Sequence, residues 1–202
     1  AGAVDGVDLS TGLLAVARAR AGDDLPWLRF TAADATTWTG DAPYDVVQCG
    51  YGVFFLPDMD TDSRRLAGLL RPGGRFVVLT WHQGSLTEFT GCLVSAVEEL
   101  RGERLPKPAT ASAAERLHTP DDLRAWLTAL GLREATAEAV EHRVPLDADT
   151  SWDLVLGTGL RGMLAGFDSD QVNSVRAGLL ERLSAAGVMH FDAGSVLGAG
   201  VR

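Results

Sequence analysis

Apolar positions along the chain fall into short runs of four to seven, separated by stretches with helical spacing and capping residues. Val4–Asp8 reads as a first strand. Ser10 then caps a helix in which Leu13, Leu14, Val16 and Ala17 share one side, with Gly22 as the stop after Ala21. Trp27–Thr31 and Tyr44–Cys49 read as further strands, the second a continuous apolar run suited to burial on both faces. Asp62 is expected to cap a helix through Leu70, ended by the sequence RPGG, and Arg75–Trp81 follows as a strand rich in β-branched residues. Leu86–Arg101 has helical spacing. Thr119 and Pro120 start another helix, with Leu123, Trp126, Leu127 and Leu130 on one face and Gly131 beyond its end. Ala135–Val144 alternates as a strand, Trp152–Leu164 and Ser169–Ala186 read as helices, and AGSVLGAGVR closes as a strand. Gly102–Ala114 is the one linker-like stretch. Strands alternating with helices predict a mainly parallel α/β sheet with helices on both faces, whose ligand sits at the carboxyl ends of the strands.

The residues ending the strands therefore carry the functional reading. Asp8 can accept two hydrogen bonds from neighbouring ribose hydroxyls, or simply favour the helix start behind it. Asp34, in TAADA, can accept from an exocyclic amine or form an Asx turn. Gly50 and Gly52 admit a ligand close to the backbone, or make a plain turn.

In combination, GVDLSTGLLAVARARA, RFTAADA, YDVVQCGYGVFFLPD and LAGLLRPGGRFVVLTW resemble the class I S-adenosylmethionine-dependent methyltransferases, and within them the small-molecule group that includes ubiquinone and menaquinone C-methyltransferases. These blocks cover residues 1–82. The resemblance implies a Rossmann-like sheet, mostly parallel with an antiparallel last strand, and S-adenosylmethionine as cofactor. It implies that Asp8 takes the ribose hydroxyls with Leu9 on the adenine, that Asp34 and Ala35 meet the adenine edge, and that Cys49, Gly50 and Tyr51 face the methionine moiety. Phe54, Phe55 and Trp81 would wall the transfer site, and His82 would serve as general base where the acceptor needs one.

The resemblance also implies a first strand and a glycine-rich loop ahead of Val4, and neither is in this chain. The expectation is a single methyltransferase domain over residues 1–202, N-terminally incomplete, with a cofactor-binding core at 1–82 and a helical lid at 145–189. Omitting a central strand leaves about 9–10 Å, two strand spacings, between its neighbours. The expected activity is in-line methyl transfer to a small hydrophobic or aromatic metabolite; the alternative is a methyltransferase-like chain that binds without transferring.

Composition narrows the partners. The 202 residues are 46% hydrophobic with a formal charge of −9, and Lys107 is the only lysine, which argues against a nucleic-acid partner. Cys49 and Cys92 read as reduced thiols of a cytoplasmic protein, and no apolar run approaches a membrane span. The acidic stretch Asp58–Ser63 lacks the glycine and glutamate of a calcium loop, and the four histidines lack ligand spacing, so no metal is expected. Low lysine with abundant alanine, glycine and arginine suggests a bacterial source and secondary metabolism. A small-molecule acceptor is the expected partner, and a homodimer is compatible with the reading.

Overall fold

A computed structural model describes residues 2–22, 24–41 and 43–202. Its elements run β1 (Val4–Asp8), α1 (Thr11–Ala21), β2 (Leu28–Ala32), β3 (Tyr44–Gly50), α2 (Met59–Ala67), β4 (Leu70–Trp81), α3 (Thr87–Arg101), α4 (Ala109–Glu115), α5 (Pro120–Ala129), β5 (Arg133–Val140), β6 (Arg143–Pro145), α6 (Ala148–Gly157), α7 (Ser169–Ala185), β7 (His190–Asp192) and β8 (Ser195–Val201). Short 3-10 turns lie at Val53–Phe55 and Gly159–Leu164. The strands form a parallel pair β1-β2, a four-stranded sheet in the order β3-β4-β8-β5, and an antiparallel ribbon β6-β7.

The chain divides into two compact units. One holds residues 1–78, 125–136 and 199–202, the other 79–124 and 137–198. In the first, Ser10 caps α1 as expected, its Oγ accepting the Leu13 N–H at 3.2 Å. Asp8 Oδ1 accepts the Ser10 N–H at 2.6 Å. The sheet breaks between β1 and β3, the place where the resemblance puts a further strand, and Val4 and Val46 on those strands are exposed. At the amino ends of these two strands a polar contact spans the break. The Tyr44 hydroxyl donates to Asp5 Oδ2 at 2.8 Å, and the same carboxylate accepts Arg29 Nε at 2.8 Å and Nη2 at 3.1 Å.

Two local expectations are corrected in this unit. Asp58, not Asp62, caps α2: its Oδ1 accepts the N–H groups of Asp60 and Thr61, while Asp62 reaches back to the Asp58 N–H at 3.0 Å. The helix ends at Ala67 rather than Leu70, and RPGG does not separate it from a strand but lies inside β4. Pairing with the chain's last residue explains this, since Gly73 N–H donates to Arg202 O at 3.1 Å and Arg202 N–H to Gly74 O at 3.0 Å. Gly74 suits this position, because a Cβ would sit 3.0–3.1 Å from the carbonyl oxygens of Arg71, Asp45 and Tyr44, tighter than ordinary contact.

The second unit is built on α3 and α7. Phe89, Leu93, Ala96 and Val97 recur at helical spacing on α3 and pack in one cluster with Val175, Leu179 and Leu183 of α7, Val155 of α6 and Phe191 of β7. The linker-like stretch contains α4, and the single strand expected over Ala135–Val144 is two, β5 and β6. The helix expected over Trp152–Leu164 breaks at Thr158, whose extended backbone interrupts it and whose Oγ1 donates to Leu154 O at 2.7 Å. No helix among the described residues is long and apolar enough to cross a membrane.

Candidate functional site

Parallel pairing places the carboxyl ends of β1 and β2 side by side. Asp8 is opposite Ala32, and the Ala33 N–H donates to Asp8 O at 3.2 Å. Asp34 stands one residue further on, so two of the expected cofactor acids share one end of a two-stranded sheet. Asp8 is exposed with one carboxylate oxygen committed to Ser10, and Leu9 beside it is 74% exposed, an apolar side chain presented outward at the strand end.

Asp34 organises its own turn. Its Oδ1 accepts the Thr36 N–H at 2.8 Å and the Thr36 hydroxyl at 2.7 Å, and its carbonyl accepts Thr37 and Trp38 N–H groups. The Thr36 hydrogen bonds hold the carboxyl below its ordinary pKa, with a smaller contribution from the Arg65 charge. The Asx turn weighed from the sequence is therefore present, and it orients the carboxylate as an acceptor. Arg65, which the sequence reading missed, ties this turn to α2: its guanidinium donates to Ala35 O at 3.0 Å and also to Trp38 O. Only the fold brings position 65 to position 35, so local spacing carried no signal for it.

At the end of β3, Cys49 is half-buried and Gly50 is exposed with open space where a Cβ would stand. Burial pushes the Cys49 thiol up to about 11. Tyr51 follows with φ of 52°, a left-handed conformation uncommon for a residue with a side chain and found disproportionately at functional sites. Gly52 cannot be replaced freely, since its Cβ would lie 2.8 Å from Cys49 Sγ. Of the aromatic pair, Phe54 is buried and Phe55 is 67% exposed, their ring centroids 4.8 Å apart. Phe54 is thus mainly a packing residue.

Trp81 and His82 lie in the second unit. The His82 N–H donates to Gly194 O at 2.9 Å, and Gln83 N–H donates to His118 O at 2.9 Å. Burial lowers the pKa of His118, Glu115 opposes that shift, and the His82 charge reinforces it. Among the described residues no three His, Cys, Asp or Glu side chains group in a way that could hold a metal ion.

These strand ends suit the cofactor the resemblance implies: two acceptors for hydroxyl and amine donors, an exposed apolar side chain for a ring, and a glycine open to close approach. Comparison with known proteins bears on the same reading. Residues 1–74 match a family described as a methyltransferase domain. Trans-aconitate 2-methyltransferase of Methylobacterium radiotolerans is 33% identical over 185 residues, which is 91% of this chain and 67% of that protein. The chain belongs to the class I S-adenosylmethionine-dependent methyltransferases.

Further similarities agree on the fold. The methyltransferase is 29% identical over 136 residues to demethylmenaquinone methyltransferase of Streptomyces avermitilis, covering 65% of this chain and 55% of that relative. It superposes on loganic acid methyltransferase with S-adenosylhomocysteine at a TM-score of 0.68, with 11% identity over 98% of this chain and 73% of the other. The YcgJ protein of Bacillus subtilis gives 0.58, with 16% identity over 99% of this chain and 82% of the other. The methyltransferase is a Rossmann-like α/β fold, and the family's cofactor is S-adenosylmethionine. It spans 67% and 55% of the two curated relatives named.

Proposed function

We propose that this methyltransferase transfers a methyl group to a small organic acid, with a carboxylate oxygen as the acceptor. The observation that carries this reading is coverage. The two relatives named trans-aconitate 2-methyltransferase match 91% and 80% of the chain, whereas the demethylmenaquinone methyltransferases match 65% and 41%. The longer matches take in more of the chain beyond the strand-end motifs, where acceptor contacts are expected. A small, water-soluble acceptor and a cytoplasmic location belong to the same proposal.

Asp8 and Leu9 would hold the ribose and one face of the adenine, Asp34 and Ala35 the adenine edge, and the backbone at Cys49–Tyr51 the amino-acid end. When bound, the cofactor supplies a methyl group on a positively charged sulfur. A carboxylate acceptor is already ionised at neutral pH, so no proton must be removed before its oxygen attacks. The protein's task is then placement, about 3 Å between oxygen and methyl carbon, and exclusion of water. On this reading no general base is needed, and one is required only for hydroxyl, amine or carbon acceptors.

The test supplies methyl-labelled cofactor with trans-aconitate in one reaction and a reduced naphthoquinone in another. Base-labile methyl ester formed only in the first supports the proposal, and transfer only to the quinol carbon overturns it. A second reading, binding without transfer, is favoured by the break between β1 and β3. It predicts cofactor binding with no methyl transfer to either acceptor.

A further inference from the structure

The β6–β7 ribbon has two chemically distinct faces. Arg143 is opposite Asp192, Val144 opposite Phe191, and Pro145 opposite His190. In an antiparallel pair, opposed residues share a face and successive residues alternate. Phe191 is buried edge-on against Phe89 at 5.2 Å between ring centroids, and Val144 packs on the same cluster. The other face therefore carries Arg143, His190 and Asp192 together. It lines a cleft of about 410 Å³ with Glu88 from the first turn of α3 and Gly187, Val188 and Met189 from the α7–β7 connection. That volume lies within the usual range of small-molecule pockets, about 300–1,000 Å³.

Charges of both signs face this cleft, and among the described residues none of them is joined to another in an ion pair within 4.0 Å. Arg143 and Asp192 are cross-strand partners, yet among the described residues no ion pair within 4.0 Å joins them, and neither Arg143 nor Glu88 has a side-chain hydrogen bond there. Asp192 Oδ1 is committed to the Gly194 N–H at 2.8 Å and lies 3.5 Å from the Ser85 hydroxyl, which leaves Oδ2 for another donor. The end of α7, whose dipole is negative, reaches the same cleft through Gly187. Val188 and the exposed Met189 give it an apolar wall.

We propose that this cleft is a binding site for a zwitterionic α-amino acid with an apolar side chain. Arg143 and His190 take its carboxylate, Glu88 and Asp192 its ammonium group, and Val188 and Met189 its side chain. A simple carboxylate would face two acids without compensation, and a simple amine would face the guanidinium. A ligand carrying both charges satisfies all four groups. The site is independent of the methyl-transfer reading, because every group in it lies outside the strand ends assigned to the cofactor.

L-leucine is the probe, followed by the backbone amide resonances of Gly187, Val188, Met189 and His190 in the isotopically labelled chain without cofactor. The single-charge analogues 4-methylpentanoate and 3-methylbutylamine are titrated beside it. The expected result is saturable, millimolar binding of leucine, weakened at least tenfold for each analogue. Arg143→Gln and Glu88→Gln should each weaken leucine binding by a similar factor while the remaining resonances stay in place. Both positions are exposed, so the fold should survive either change. Absence of saturable shifts with leucine overturns the proposal, as does equally tight binding of the acid or the amine alone.

Discussion

Replacing Tyr44 with Phe removes the contact that spans the break between β1 and β3 and leaves the rest of the ring in place. The lost interactions are the hydroxyl bond to Asp5 Oδ2 at 2.8 Å and the Asp41 N–H bond to that hydroxyl at 3.1 Å. Asp5 keeps both Arg29 bonds, so its carboxylate, 7% exposed at the side chain, is not stranded. A hydrogen bond to a charged group is worth about 1.5–3 kcal/mol, and that is the expected loss. At about 1.4 kcal/mol per factor of ten, amide protection in β1 should fall roughly 10- to 150-fold. Native-state hydrogen exchange at Val4, whose N–H donates to Trp27 O at 2.9 Å, reads this directly. The effect should also depend on pH. Arg29 first, and Tyr44 in addition, hold the Asp5 carboxyl below its ordinary value of about 3.8 against an opposing push from burial. A depressed folded-state value means the contribution is full above the ordinary value and is lost progressively as pH falls through the depressed one. The gap between the wild-type and Tyr44→Phe proteins should therefore narrow below about pH 4. Unchanged protection at neutral pH, or a gap that widens in acid, would refute the reasoning.

Other substitutions test neighbouring parts of the account. Gly74→Ala forces a Cβ to within 3.0–3.1 Å of three carbonyl oxygens in a buried strand. Backbone cannot move aside cheaply, so denaturant melting should show a loss of about 1–3 kcal/mol. A neutral result would mean β4 does not pass through RPGG as described. Cys49, with its thiol pushed up to about 11, should resist alkylation at pH 8 in a Cys92→Ser background and react progressively faster toward that value. Rapid labelling at neutral pH would show that the end of β3 is open. Arg65→Gln should loosen the Asp34 turn it binds through Ala35 O and Trp38 O, weakening S-adenosylhomocysteine binding in calorimetry while α2 stays folded. Unaltered affinity would remove Arg65 from the site.

Local signals were strong where the chain's chemistry is local. Ser10 before an apolar helical pattern, Gly22 after it, and Thr119–Pro120 ahead of Leu123 each name a helix boundary through caps a few residues apart, and the structure keeps all of them. Asp8 and Asp34 could be placed because strand ends are visible in apolar runs. Asp58 and Asp62 were harder to separate, since both are acids at a helix start and only the backbone decides which one accepts. What the sequence could not reveal is non-local. β4 continues through RPGG because Arg202 pairs with Gly73 and Gly74 from the far end of the chain. Tyr44 finds Asp5 across 39 positions, and Arg65 finds Ala35 across 30. The three-residue strands β6 and β7 are too short to show alternation, and Phe191 joins them to the α3–α7 core through Phe89, a contact made across about a hundred positions.

The central claim is that the carboxyl ends of β1, β2 and β3 hold the cofactor of this methyltransferase. Calorimetric titration of S-adenosylhomocysteine into the purified chain tests it most directly, with Asp8→Ala and Asp34→Ala titrated alongside. The account predicts one saturable site, weakened at least tenfold by either substitution and unaffected by Arg143→Gln. No saturable heat, or binding indifferent to both acids, would contradict it.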